Sequence, residues 1–411
     1  MLNNYRVASA NFGFLSALHL VNVIFPLLLY PFLIRILGPE IYGKVLFAQG
    51  IAAYLSVMVM FGFQISATRE IAIHRDDTTE LSRIVSSTLQ AKGFIWLSCL
   101  VGYTVVIAST PRLAEEPLLY VLAFGQTFTQ FLFPDWYFQG TEKMGYITIL
   151  SFLVRATVLI ATLGLVSGPE DYLLVPAISS AGALVAGAAG LVIVCRDGVH
   201  LSLQPISRMW RAMKQGAPLF SSNAIVAMCD RGGTIIVGSL LGPTEVAYYS
   251  LGEKVVTAIS GFYFNFSRAV FPNLANTRNV VLSKQVFRWA AGIGVIGAAF
   301  TFFAAPLLVS LLAGEEMSAA VPILQTLSPQ ILLAGIGPLL LNVIIIEKLN
   351  NSLITNALVA GVAYFMAILG VVVFGAVSTK AIAACLIFSL FVRAIHRLYH
   401  VVAHGHQRWI F

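Results

Sequence analysis

Between about residue 10 and residue 403 the chain runs through one apolar stretch of 20 or more residues after another. Each is long enough to cross a ~30 Å hydrocarbon core as a helix. Helices and closed barrels alone can lie there with every backbone polar group satisfied. The repetition excludes a soluble globule: 58% of the residues are hydrophobic and 10% charged, against about 25% charged in ordinary soluble domains. The first run is too long for the core of a cleavable signal peptide and leads into a short loop. The expected fold is therefore an all-α membrane protein. Its twelve spans lie near 10–34, 45–66, 85–109, 118–140, 146–166, 173–195, 217–241, 247–272, 290–312, 321–346, 352–374 and 381–403. Pro26, Pro31, Pro134, Pro176, Pro306 and Pro338 fall inside spans and predict kinks.

The spans divide into two halves. Leu37-Gly38-Pro39 returns as Leu241-Gly242-Pro243, at an offset of 241 − 37 = 204, about half of 411. Glu40 and Tyr42 follow the first copy, Glu245 and Tyr248 the second. Pro134 maps onto Pro338 (338 − 134 = 204) and Glu142-Lys143 onto Glu347-Lys348 (347 − 142 = 205). Two matches about 100 residues apart that share one offset indicate a tandem parallel repeat, as in transporters built from two equivalent halves. The expected organisation is an N-terminal lobe, 1–195, with spans 1–6; a cytoplasmic linker, 196–216; and a C-terminal lobe, 217–411, with spans 7–12, around a central cleft.

Orientation follows from Lys and Arg in the short loops. One side holds Arg6, Arg69, Arg75, Arg83, Lys143, Arg196, Arg208, Arg211, Lys214, Arg278, Lys284, Arg288, Lys348, Arg397 and Arg408. The other holds Arg35, Lys44, Arg112 and Lys380, among most of the loop acids. This bias puts both termini in the cytoplasm. It also accounts for the +7 net charge as membrane topology, with no nucleic-acid partner. The linker, with Trp210 beside Arg208, Arg211 and Lys214, suits either a short amphipathic helix on anionic lipid or a solvated connection. The charged stretch 67–84 reads chiefly as a solvated run that sets orientation, and secondarily as a gate. The four cysteines show neither metal spacing nor a disulfide framework.

Several charges lie within spans, where each costs roughly 2.5–3.5 kcal/mol at mid-depth if it faces lipid. They are Lys92, Asp135, Arg155, Asp230, Arg231, Glu253, Lys254, Arg268 and Arg393. On the eighth span Lys254, Thr257, Gly261, Asn265 and Arg268 follow spacings of 3, 4, 4 and 3 and make one polar stripe. Asn223, Asp230 and Thr234 share a face of the seventh, and His19 and Asn22 are neighbours on the first. Adjacent residues such as Asp230-Arg231 and Glu253-Lys254 cannot pair along one helix. Each must find a partner on another helix or face water. The candidate substrate-contacting residues are Lys92, Arg155, Asp230, Arg231, Lys254, Asn265 and Arg268. His19, Asn22, Asn223 and Asp135 are candidates for lining or gating. The competing reading makes these charges buried structural pairs, with His19 and Arg393 as packing or interface residues. The basic excess favours an anion, and Arg offers a planar fork suited to phosphate.

Three stretches carry a family resemblance: Leu28 to Gly43 (LLYPFLIRILGPEIYG), Ser66 to Ala72 (SATREIA) and Phe133 to Met144 (FPDWYFQGTEKM). With them the chain resembles the bacterial O-antigen flippases, the polysaccharide transporter family of the multidrug/oligosaccharidyl-lipid/polysaccharide exporter superfamily. The resemblance is strong over roughly the first 150 residues and mainly topological beyond. It implies a MATE-like fold of two six-helix lobes in the inner membrane. It implies movement of an undecaprenyl-diphosphate-linked oligosaccharide from the cytoplasmic to the periplasmic leaflet, for O-antigen and lipopolysaccharide synthesis. The implied mechanism is alternating access, coupled to an ion gradient such as H+ or Na+ or to the membrane potential. No bound cofactor or metal is expected. The partners are the lipid-linked oligosaccharide and membrane lipids, with polysaccharide polymerase and chain-length machinery as further candidates. The alternatives are an ion-coupled multidrug or metabolite antiporter of the same fold, dependent on Asp230 and Asp135, and a membrane enzyme. Against an enzyme, the chain has no large external loop and no HExxH, GxSxG or P-loop pattern.

Overall fold

The computed structural model describes residues 2–347, 349 and 351–410; side chains at 2–12, 15, 16, 19, 218, 219, 221–223, 264, 265, 268, 269, 272, 273, 351 and 353 lie outside the description. The described residues are helical throughout their regular structure, with no strand among them. Eight segments are long and apolar enough to cross a membrane: Leu20–Ile73, Thr78–Ser109, Met144–Leu165, Pro169–Arg196, Val280–Ala313, Glu315–Ile346, Ile354–Val373 and Thr379–Ala403. The protein is a multi-pass helical membrane protein. Helices Ile206–Leu240 and Pro243–Thr277, 35 residues each, carry the charges of the seventh and eighth expected spans.

The first long segment is more than one crossing. Helix Leu2–Met60 has 59 residues, about 88 Å at 1.5 Å per residue, nearly three hydrocarbon thicknesses. Gly38 interrupts it with φ 74 and ψ 166, a conformation that strains any residue with a Cβ. Gly242 takes the same course at φ 100 and ψ 178. In both copies the following proline opens a new helix, where its missing N–H is no loss. The repeated tripeptide is thus a repeated piece of backbone. The second repeat match differs. Pro134 separates helix Phe128–Leu132 from helix Asp135–Gly140, with Phe133 extended ahead of it, whereas Pro338 sits inside helix Pro329–Ile346. Pro26, Pro31 and Pro306 are likewise carried within helices.

The chain forms two compact units: residues 1–25 with 44–224, and residues 26–43 with 225–411. These bounds differ from a division at 195 and 217, because the segment around the first tripeptide packs in the C-terminal unit. There the Tyr30 hydroxyl donates to the Ala247 carbonyl at 2.7 Å. A Cβ on Gly43 would lie 1.9 Å from the Pro243 carbonyl oxygen. Gly43, four residues past the first tripeptide, therefore meets Pro243 of the second at a contact that admits only glycine.

In the N-terminal unit the family-like stretches 66–72 and 133–144 form one clasp. Helix Asp135–Gly140 lies on helix Phe63–Ile73, where a Cβ on Gly140 would come 2.6 Å from the Ile71 side chain. Thr68 Oγ1 donates to the Trp136 carbonyl at 3.2 Å. Phe63, Ala67, Ile71, Trp136, Tyr137 and Phe138 share one buried core. Beyond Gly198 the chain runs extended along helix Thr78–Ser109. The backbone N–H groups of His200, Ser202 and Gln204 donate to Ser82 Oγ (3.0 Å), Ser86 Oγ (3.0 Å) and Gln90 Oε1 (3.2 Å). Two extended residues advance about 6.6 Å and four helical residues about 6.0 Å, so alternate amides meet every fourth side chain. Residues 206–216, the second part of the expected linker, are the first turns of helix Ile206–Leu240.

Candidate functional site

The N-terminal unit holds three of the candidate charges. Lys92, on helix Thr78–Ser109, is 2% exposed, and its Nζ lies 5.8 Å from the centre of the Trp136 ring. A ring face stabilises a desolvated ammonium by about 2 kcal/mol. Asp135 interacts with Lys92 electrostatically and is hydrogen-bonded by Gln64. No carboxylate among the described residues comes within ion-pair distance of Lys92. The Trp136 Nε1–H is buried without a hydrogen-bond partner among the described residues. Arg155, on helix Met144–Leu165, is half-buried and makes no ion pair or hydrogen bond with any described residue. Asn22 is exposed on the first helix.

The C-terminal unit holds its charges differently. Arg393 Nη2 donates to Asp230 Oδ1 at 2.6 Å, across 163 residues of sequence. The Arg393 side chain is 11% exposed and that of Asp230 44%. One turn on, Arg397 donates to Asn356 Oδ1 (3.1 Å) and to the Gly337 carbonyl (2.8 Å), and Asn356 donates to the Arg393 carbonyl at 3.0 Å. Glu253 accepts from Thr234 Oγ1 at 3.2 Å. Asp230 and Glu253 thus find their partners on other helices, as the geometry of adjacent residues requires. Lys254 Nζ lies 5.1 Å from the centre of the Tyr30 ring and has no ion pair within the described residues. Arg231 is exposed and feels Glu253 electrostatically. The hydroxyls of Tyr249 and Tyr364 are buried without partners among the described residues; a Cβ on Gly233 would lie 2.1 Å from the Tyr249 oxygen.

The side chains of His19, Asn223, Asn265 and Arg268 lie outside the described residues. Among the described residues no group of three His, Cys, Asp or Glu is arranged to hold a metal ion. Sequence reasoning missed Gln64, Asn356, Arg397, Tyr249 and Tyr364. Gln64, two residues ahead of the SATREIA stretch, and Asn356, alone in an apolar span, offered the only signals. The tyrosines read as ordinary span residues. Chemically, the arrangement supplies cations with no committed carboxylate at buried Lys92 and at half-buried Arg155 and Lys254, and a committed cation at Arg393.

A family model described as polysaccharide biosynthesis protein matches residues 8–278. The "Putative O-antigen transporter" of Escherichia coli (strain K12) is 27% identical over 329 residues, covering 78% of this chain and 79% of that protein. The protein of the same name in Shigella dysenteriae is 25% identical over 323 residues, 77% of this chain and 81% of its own length. Among solved structures, the lipid II flippase MurJ in an inward closed conformation is similar with a TM-score of 0.68 at 12% identity, over 98% of this chain and 88% of that one. The eukaryotic MATE transporter AtDTX14 is similar with a TM-score of 0.64 at 12% identity, over 99% and 98%. At such identities the two structures establish a shared fold. The match over 8–278, taken with the resemblance of the three stretches, means that this chain belongs to the polysaccharide biosynthesis protein family.

Proposed function

We propose that this protein moves an undecaprenyl-diphosphate-linked oligosaccharide from the cytoplasmic to the periplasmic leaflet of the bacterial inner membrane, by alternating access, for surface-polysaccharide synthesis. Twelve spans in two six-helix lobes, with both termini cytoplasmic, belong to this reading. Lys92, Arg155 and Lys254 hold the diphosphate; Arg231, Arg268 and Asn265 extend the polar path, and His19, Asn22, Asn223 and Asp135 line or gate it. Asp230 contributes through its hold on Arg393. Transport is driven by a gradient of H+ or Na+ or by the membrane potential. Polymerase and chain-length proteins receive the product.

The observation that carries the reading is a buried lysine stabilised by an aromatic face and by no ion pair, in a chain related to proteins named as O-antigen transporters. Burying a cation is costly, and an arriving phosphate supplies the missing counter-charge. The test is complementation of a strain lacking its own flippase with Arg155→Ala and Lys254→Ala. We expect surface polysaccharide to be lost while both variants accumulate in the membrane. Normal polysaccharide from both would overturn the assignment.

The likeness to MATE transporters supports one second reading, an ion-coupled multidrug or metabolite antiporter. It requires carboxylate chemistry. If Asp230→Asn abolished drug export while polysaccharide stayed normal, this second reading would replace the first.

A further inference from the structure

The extended strap at 199–205 delivers two arginines to a place that the transport reading does not use. Just after it, Arg208 and Arg211 line a cavity of about 230 Å³ in the N-terminal unit, together with Arg83, Glu70, Glu80 and Gln215. Glu80 is shared: its carboxylate accepts from Arg83 at 3.0 Å and pairs with Arg208 at 3.8 Å. Arg211 is exposed and makes no ion pair with any described residue. Three guanidiniums against two carboxylates leave a net charge of +1 on the wall (3 − 2). Outside the cavity's lining, the strap and the start of helix Ile206–Leu240 expose apolar side chains: Leu203 is 92% and Ile206 70% exposed. Trp210 and Phe94 are also exposed, with ring centres 6.1 Å apart. Indole beside arginine is the composition of a membrane interface.

We propose that this cavity binds the phosphodiester head of an anionic phospholipid, with the acyl chains lying over Leu203, Ile206, Trp210 and Phe94. A singly charged phosphodiester matches the net charge of the wall. Arg211 supplies the planar fork suited to phosphate. The two carboxylates repel a diphosphate, which separates this site from the one that holds the transported lipid. Glu70, unpaired among the described residues, accepts from a hydroxylated head such as glycerol. On the orientation proposed above, the lipid belongs to the cytoplasmic leaflet. It pins the strap against helix Thr78–Ser109.

The test uses full-length protein purified in detergent and reads its apparent melting temperature. The titrants are mixed micelles containing phosphatidylglycerol, the same micelles containing phosphatidylcholine, and inorganic phosphate. We expect phosphatidylglycerol alone to raise the melting temperature. The concentration for half effect should rise at least about tenfold, or 1.4 kcal/mol, in Arg211→Gln and further in Arg208→Gln/Arg211→Gln. Arg211→Gln breaks no ion pair and keeps the fold. Lys214→Gln, exposed and one turn along the helix, should leave the response unchanged. Arg155→Ala should keep the response even where transport is lost, so failure of the flippase reading and failure of this one are told apart. An equal rise with phosphatidylcholine, an unchanged response in Arg211→Gln, or the same rise with inorganic phosphate at equal concentration would each overturn the lipid assignment.

Discussion

The two units bury cations on different terms. In the N-terminal unit Lys92 rests under the Trp136 ring with no carboxylate at ion-pair distance, and Arg155 makes no polar contact with the described residues. In the C-terminal unit Arg393 is bound to Asp230 at 2.6 Å and Arg397 to Asn356 and Gly337, with Lys254 alone resting on an aromatic ring. A committed ion pair fixes helix against helix and leaves little charge for a ligand. A cation held by ring faces keeps its field for whatever anion arrives. On the proposed function, the difference separates residues that hold the fold from residues that would meet substrate, although all are charged residues within apolar spans.

The largest effect should come from breaking the unpaired set. On the proposed function, Lys92→Met and Arg155→Ala each remove a charged donor to the diphosphate, worth about 1.5–3 kcal/mol. We expect about ten- to hundredfold less surface polysaccharide, measured against membrane-extracted protein. A proportional loss of protein would move these residues to the structural side. Next, Arg393→Ala should act on stability. Removing one partner of a fully buried pair costs about 3–5 kcal/mol; here the cost should sit at or below about 3, because Asp230 keeps 44% of its side chain exposed. A lower apparent melting temperature, with transport per folded molecule unchanged, is the expected pattern. Asp230→Asn keeps an oxygen for Arg393 and should cost about 1 kcal/mol, with polysaccharide retained. A large loss of transport in either of the last two variants would erase the contrast between the units.

Much of this was legible in the residues. The offset of 204 marked two glycines that share a positive φ, since only such a residue can end one helix and let proline open the next. It did not foretell that Gly43 would press on Pro243, because two turns can match in sequence without touching. Pro134 broke its span and Pro338 did not: Phe133 is extended ahead of the first, while the turn preceding Pro338 stays helical. The pairing rule for adjacent charges said that Asp230 and Glu253 must look elsewhere; it could not name Arg393, 163 residues away. The strap was legible only as Ser82, Ser86 and Gln90 on one helix face, a pattern that acquires meaning once an extended segment lies along it. The SATREIA and FPDWYFQGTEKM stretches carried the resemblance separately, and their packing as one clasp explains why Thr68, Trp136 and Gly140 occur together.

The central claim, that unpaired cations within the spans hold the diphosphate of a transported lipid, is tested most directly in proteoliposomes. They would hold the purified protein and a fluorescent undecaprenyl-diphosphate oligosaccharide, with leaflet exchange followed by a membrane-impermeant quencher. The wild-type chain and Arg393→Lys should exchange the lipid, and Lys92→Met and Arg155→Ala should slow exchange at least about tenfold. Exchange at the wild-type rate in both of those variants would contradict the claim.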